Sequence, residues 1–200
     1  MPSVYDLKPA FQKRLLPLTA ALHRHGVTAN MVTVSAMLAS LAYGAWMLSA
    51  AHSRLPFLLL PLFMFARMAL NAIDGMLARQ YQQQSKLGAL LNEGGDVVSD
   101  AALYAPFAAL PWVQPGIVML VVFLALLTEF VGVLGQVIGG GRRYEGPMGK
   151  SDRAVVFGAL GLLIGMGVPI HAYLNTILLV TAFLLAWTVW KRARQALLSA

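Results

Sequence analysis

Residues 116–138 read GIVMLVVFLALLTEFVGVLGQVI, an apolar run broken by a single ionisable side chain, Glu129. A bilayer core about 30 Å thick takes roughly 20 apolar residues per helix, so this stretch is long enough to cross one. Working outward, comparable runs cover residues 29–49, 56–79, 87–110, 154–168 and 173–190. Proline-rich or polar punctuation at 52–56, 111–115 and 139–149 separates them. The expectation is an all-α integral membrane protein with six transmembrane helices.

Composition agrees. Of the 200 residues 58% are hydrophobic and 12% charged, against roughly 25% charged in soluble domains. A water-soluble fold of this size would leave much apolar surface uncovered, which excludes the soluble globular class. With no cysteine, disulfides and thiolate metal sites are excluded as well. The net charge of +7 reflects topology in a membrane chain, and no nucleic-acid partner is expected.

With the N-terminus placed inside, thirteen of the fifteen Lys and Arg fall on the inner side. Arg54 alone falls in the outer loops, and Arg67 lies within a span. Positive charge concentrates on the cytoplasmic side of membrane proteins, so both termini are expected in the cytoplasm. Ahead of the first span, Val4, Leu7, Phe11, Leu15, Leu18 and Leu22 recur every three or four residues, with Lys8, Lys13 and Arg14 off that stripe. This predicts an amphipathic interfacial helix over 1–26, broken at Pro9 or Pro17, ahead of a catalytic transmembrane domain over 27–200.

Ionisable groups at membrane depth are costly and mark function by default. In the second span Arg67, Asn71, Asp74 and Ala78 share one helical face, and in the third Gly88, Asn92, Asp96 and Asp100 do the same. Two adjacent helices thus turn carboxylates and carboxamides towards a shared space near the turn bracketed by Arg79 and Lys86. Oxygen donors of this kind suit Mg²⁺ or Mn²⁺. Gly75 and Gly88 leave room for a bulky ligand to approach the backbone. Glu129 is expected either to pair with Arg67 or to meet substrate.

The run Asn71-x-x-Asp74-Gly75-x-x-Ala78-Arg79, eight residues, then Gly88-x-x-x-Asn92-x-x-x-Asp96 resembles the signature of the CDP-alcohol phosphotransferase (phosphatidyltransferase) family. That signature is D-x-x-D-G-x-x-A-R, eight residues, G-x-x-x-D-x-x-x-D. The resemblance implies a membrane transferase of phospholipid biosynthesis, moving a phosphatidyl group from CDP-diacylglycerol to a small alcohol and releasing CMP. It further implies metal ligation by Asp74, general-base catalysis by Asp96, and contacts of Gly75, Ala78, Arg79 and Gly88 with the CDP moiety. A homodimer among membrane lipids follows from the same likeness, in a bacterial inner membrane with the site facing the cytoplasm.

The chain departs from the signature at Asn71 and Asn92, which keep a ligating carbonyl but lose two negative charges. Two divalent ions bring four positive charges, and Asp74 with Asp96 only two negative ones. Either one ion binds, or Glu93 and Asp100 join Asn71, Asp74, Asn92 and Asp96 around two. The competing reading of these losses is a decayed family member that binds nucleotide, metal or lipid without catalysis. A transporter fits less well, since the polar cluster lies towards one side rather than at the midplane.

The loop 139–153 carries Arg142, Arg143, Lys150 and Arg153, with Ser151 or Asp152 placed to cap the following helix. Cations beside free amides at a helix start bind anions. By the same resemblance the acceptor bears a phosphate, with glycerol 3-phosphate foremost. The same charges also serve simply to hold the loop inside or to touch anionic headgroups.

Overall fold

A computed structural model of the protein describes residues 4–200, with side chains described from Ala10 onward. Its elements are α1 Val4–Arg24, α2 Ala29–Ser49, α3 Leu55–Gln80, α4 Lys86–Tyr104, a 3-10 turn Ala105–Ala109, α5 Pro115–Val137, α6 Lys150–Gly165 and α7 His171–Ser199. No strand occurs among the described residues. Of the expected spans, α2, α3, α5 and α7 are long and apolar enough to cross a membrane. α4, with 19 residues, carries Lys86, Glu93, Asp96 and Asp100, and α6 has only 16 residues.

The chain divides into two compact units, one of residues 1–40 and 65–99, the other of 41–64 and 100–200. In the first, Ala29, Val32, Ile73 and Leu77 form a small core with Leu15, Leu22, Leu70 and Tyr81 packed around it. α1 runs unbroken through Pro9 and Pro17, where the sequence predicts a break. Each proline removes one donor, but flanking turns are pinned to α3: the Phe11 ring meets Phe65 at 5.7 Å, and Thr19 Oγ1 lies 4.0 Å from Met76 Sδ. Leu18 is exposed while Thr19 is buried, its hydroxyl donating to the Leu15 carbonyl at 2.9 Å. The side chains of Val4, Leu7 and Lys8 lie outside the described residues.

Caps set the helix starts near the signature. Thr28 Oγ1 accepts from the Met31 N–H at 3.2 Å, and Ser85 Oγ from the Gly88 N–H at 2.9 Å. α3 ends with Gln82 at φ 55° and the Gln83 N–H on the Ala78 carbonyl at 3.0 Å. Gln83 Oε1 then accepts from the Ala29 N–H at 2.7 Å, tying the turn after α3 to the start of α2.

The second unit has an aromatic centre. Tyr104 stacks on Phe157 at 3.9 Å, Phe107 meets Phe157 edge-on at 5.1 Å, and Phe57 meets Phe107 at 5.5 Å. α6 lies close against α3 because Gly161 and Gly165 present no side chain there. A Cβ on Gly161 would sit 2.9 Å from the Phe57 carbonyl oxygen, and one on Gly165 would collide with the Leu58 backbone. Close backbone approach over small residues is the usual way helices associate in lipid.

Candidate functional site

In the first unit, α3 and α4 bring the expected acidic faces together. Asn71 Nδ2 donates to Asp96 Oδ1 at 3.1 Å, and Arg67 Nη2 reaches the same oxygen at 3.4 Å and the Asp96 carbonyl at 3.3 Å. Asp74, one turn beyond Asn71, is buried, and its Oδ2 accepts from Thr33 Oγ1 on α2 at 2.8 Å. Three helices therefore meet at two carboxylates. Asp96 keeps a fifth of its side-chain surface exposed, whereas Arg67 is buried. Burying Arg67 is tolerable because Asp96 offsets its charge.

Side chains of this chain lie beside the glycines of the signature. A Cβ on Gly75 would lie 3.3 Å from the Arg79 guanidinium, so Arg79 folds back over that backbone. A Cβ on Gly88 would lie 2.8 Å from Asn30 Oδ1. Arg79 and Asn92 are exposed, and Ala78 and Glu93 are half-buried. Thr33 is the residue here that the sequence reading does not single out; its signal is polarity one turn inside the start of a span.

The donors Asn71, Asp74 and Asp96 are all oxygen-bearing and fit a hard divalent ion by chemistry, whereas Asn92 lies exposed one turn before Asp96. Among the described residues no group of three or more His, Cys, Asp or Glu is arranged to hold a metal. With Asn at 71 and 92, the carboxylate count at this site stays at two.

Asp100, four residues beyond Asp96, belongs to the second unit, where Arg153 holds it. Its Oδ2 accepts from Arg153 Nη2 at 2.8 Å and Nε at 3.1 Å. Arg153 also reaches Glu129 Oε1 at 3.0 Å and Thr128 Oγ1 at 3.0 Å. Glu129 thus pairs not with Arg67, as one expectation had it, but with Arg153, with Arg142 at 2.9 Å and with Arg192 at 3.5 Å. The reason is topological: the loop after α5 turns back over α5. Gly132 and Gly135 admit its backbone, the Arg143 N–H donating to the Gly132 carbonyl at 3.1 Å.

Three guanidinium groups, from Arg142, Arg153 and Arg192, face Asp100 and Glu129, leaving an excess of one positive charge. Arg192 was counted in the sequence only as an inside charge. The signal that could have found it is its spacing from Leu185, Thr188 and Ala196 on the buried face of α7. Arg192 also donates to the Thr128 carbonyl at 2.6 Å and the Glu145 carbonyl at 3.2 Å. Arg143 Nη1 meets Glu145 Oε1 at 3.2 Å, and its Nη2 donates to the Gly140 carbonyl. Partial burial of the Glu145 carboxyl opposes ionisation, yet the N–H groups of its own backbone and Tyr144 together with Arg143 outweigh it and hold Glu145 below the usual carboxylate range. Gly149 takes the cap position of α6, and Asp152 supplies the capping side chain, its Oδ2 accepting from the Gly149 N–H at 2.9 Å, while Ser151 makes no cap bond among the described residues. Lys150 is half-buried at the first helical position.

Residues 26–192 match the family model described as CDP-alcohol phosphatidyltransferase. The chain is 48% identical over 196 residues to inner membrane protein YnbA of Escherichia coli (strain K12), covering 98% of this chain and 97% of that protein. An uncharacterized protein of Aquifex aeolicus (strain VF5) is 34% identical over 104 residues, 52% of this chain and 49% of its own length. Among solved structures, the fold is similar to phosphatidylinositol phosphate synthase of Mycobacterium tuberculosis with CDP-DAG bound. The TM-score is 0.75 at 16% identity, covering 90% of this chain and 92% of that one. The same enzyme in complex with manganese and citrate gives a TM-score of 0.77 at 18% identity, covering 92% of this chain and 88% of that one.

Proposed function

The chain belongs to the CDP-alcohol phosphatidyltransferase family, and we propose that it transfers the phosphatidyl group of CDP-diacylglycerol to the hydroxyl of a small phosphorylated alcohol. It is an integral membrane transferase of phospholipid biosynthesis. Glycerol 3-phosphate is the foremost acceptor, and CMP is released. The observation that supports this reading is the Asn71–Asp96 hydrogen bond between α3 and α4, with Asp74 three residues beyond Asn71 on the same helix and held by Thr33. Opposed helices that turned these carboxylates apart would have no means of gripping a diphosphate.

The reaction forms a bond between the acceptor oxygen and the phosphorus of the phosphatidyl group, breaks that phosphorus's bond to CMP, and moves the hydroxyl proton to a base. Asp96 is the base. Its Oδ1 is held by Asn71 and Arg67, so the carboxylate is oriented before substrate arrives to take the proton. Mg²⁺ or Mn²⁺, when bound, offsets the charge of the diphosphate that would repel the incoming oxygen. Asp74 and Asp96 would hold it with the carbonyl oxygens of Asn71 and Asn92, and their charge balances a single ion. Glu93 is the remaining acid of α4 that could add to the set. Asp100 is committed to Arg153.

Gly75, Ala78, Arg79 and Gly88 receive the CDP moiety, Arg79 supplying a cation above the Gly75 backbone. The acceptor phosphate is assigned to the basic group of Arg142, Arg143, Lys150 and Arg153, which gather in the loop after α5 and the first turn of α6. Six spans, both termini in the cytoplasm, a bacterial inner membrane and a homodimer complete the reading.

The test incubates purified protein with CDP-diacylglycerol, Mg²⁺ or Mn²⁺ and a panel of alcohols, and follows CMP. Release that depends on a phosphorylated alcohol is the expected result. Nucleotide binding with no CMP from any acceptor would instead favour a member that binds without turnover.

A further inference from the structure

We propose a second ligand site, in the second unit, that binds an anionic phosphate ester carried by a lipid headgroup at the membrane surface. The site is a cavity of about 480 Å³ formed where the turn before α3, the turn before α5 and the end of α6 meet the start of α7. Arg54, His52, His171 and Trp112 give it a cationic and aromatic rim, over a floor that includes Phe57 and Ile164. It is independent of the transfer reaction, since it uses none of the residues assigned to it.

Charge selects the ligand. None of the chain's eight acidic residues falls within 7–73, 101–128 or 153–200, the segments that supply every wall. Arg54 is exposed, and no ion pair among the described residues involves it. An anion entering here meets a guanidinium and two imidazoles with no competing carboxylate. A volume of this size suits a headgroup rather than a bare ion.

The walls are held in place before any ligand binds. α6 ends with Gly167 at φ 76°, the Gly167 N–H on the Ile164 carbonyl at 2.9 Å and the Val168 N–H on the Leu163 carbonyl at 2.9 Å. A Cβ on Gly167 would sit 2.9 Å from Arg54 Cζ, so the missing side chain is the space the guanidinium fills. Asn175 clamps the opposite wall, its Oδ1 accepting from the Gln114 N–H at 2.9 Å and its Nδ2 donating to the Trp112 carbonyl at 3.1 Å. The Trp112 and His171 rings are 6.3 Å apart. A cation near a helix C-terminus is favourable by itself, and Arg54, which makes no hydrogen bond to the α6 carbonyls among the described residues, lines the cavity.

The headgroup source follows from the helices. α3 and α7, whose first turns line the cavity, are long and apolar enough to cross a membrane. Their ends meet the headgroup layer, where Trp and Arg anchor to lipid phosphates.

The experiment measures Kd by native mass spectrometry of the full chain in neutral detergent. Dioctanoyl phosphatidylglycerol is the probe, with dioctanoyl phosphatidylcholine and sodium phosphate as separate arms. Arg54→Gln is expected to weaken phosphatidylglycerol binding roughly tenfold or more, and His52→Gln with His171→Gln to weaken it also, both with unchanged CMP release. Should Arg54→Gln fail to fold, the double histidine variant decides alone. Sodium phosphate competing with the same dependence on these residues would assign the site to a soluble phosphate ester rather than a lipid. Wild-type affinity in the variants, or phosphatidylcholine binding as tightly as phosphatidylglycerol, overturns the proposal.

Discussion

Asn71 Nδ2 donates to Asp96 Oδ1 at 3.1 Å. An aspartate at position 71 would repel that oxygen, so asparagine here lets α3 hold the proposed base directly. Asn71→Asp is therefore expected to act in two directions: lower thermal stability without metal, from like charges in contact, and tighter Mn²⁺ binding, from the added carboxylate. Calorimetric titration with Mn²⁺ and melting in EDTA read the two effects separately.

Asp96→Asn keeps the shape of the side chain and removes the base. CMP release should fall by about 10²–10⁴-fold, the usual worth of general-base catalysis, while CDP-diacylglycerol still binds. Single-turnover assays with enzyme in excess over donor check this, and full activity in the variant contradicts the role.

Chelation by EDTA should abolish CMP release, and Mg²⁺ or Mn²⁺ should restore it. Asp74→Asn should raise the metal concentration needed for half-maximal rate, because one of the two charges that hold the ion is gone. A variant that responds to Mn²⁺ as wild type does would remove Asp74 from the metal site.

Asp100 and Arg153 form a buried pair at 2.8 Å. Arg153→Met leaves Asp100 and Glu129 short of their partner, an error that costs about 3–5 kcal/mol when a buried pair is broken, so a marked drop in melting temperature is expected. Asp100→Asn should also lower stability yet leave Mn²⁺ affinity unchanged. Weaker Mn²⁺ binding in that variant would return Asp100 to the ligand set.

Gly165→Ala puts a methyl group into the Leu58 backbone. Overpacking of this kind costs about 1–3 kcal/mol, and because neither side is a flexible side chain it should not relax. The melting temperature of the detergent-solubilised protein measures it, against Gly94→Ala, where nothing lies within 4 Å.

Much of this molecule could be read along the chain. The apolar runs located α2 and α5 to within a residue or so, because a helix in lipid must satisfy its own backbone and cannot trade bonds with neighbours. The four-residue spacing of Asn92 and Asp96, and the three-residue spacing of Asn71 and Asp74, placed them on facing stripes because helical geometry is local.

Tertiary structure decided which charges meet. Arg67 could have neutralised Glu129 or a signature carboxylate, and only the folded chain sends it to Asp96 and gives Glu129 to Arg142, Arg153 and Arg192. Thr33 joined Asp74, and Arg54 found its place beside Gly167, for the same reason. Helix formation and membrane insertion depend on residues a few positions apart, so one strand of letters suffices for them. Pairing of buried charges depends on which helices pack together, which is settled by glycine-lined contacts and loop returns between segments far apart in the chain.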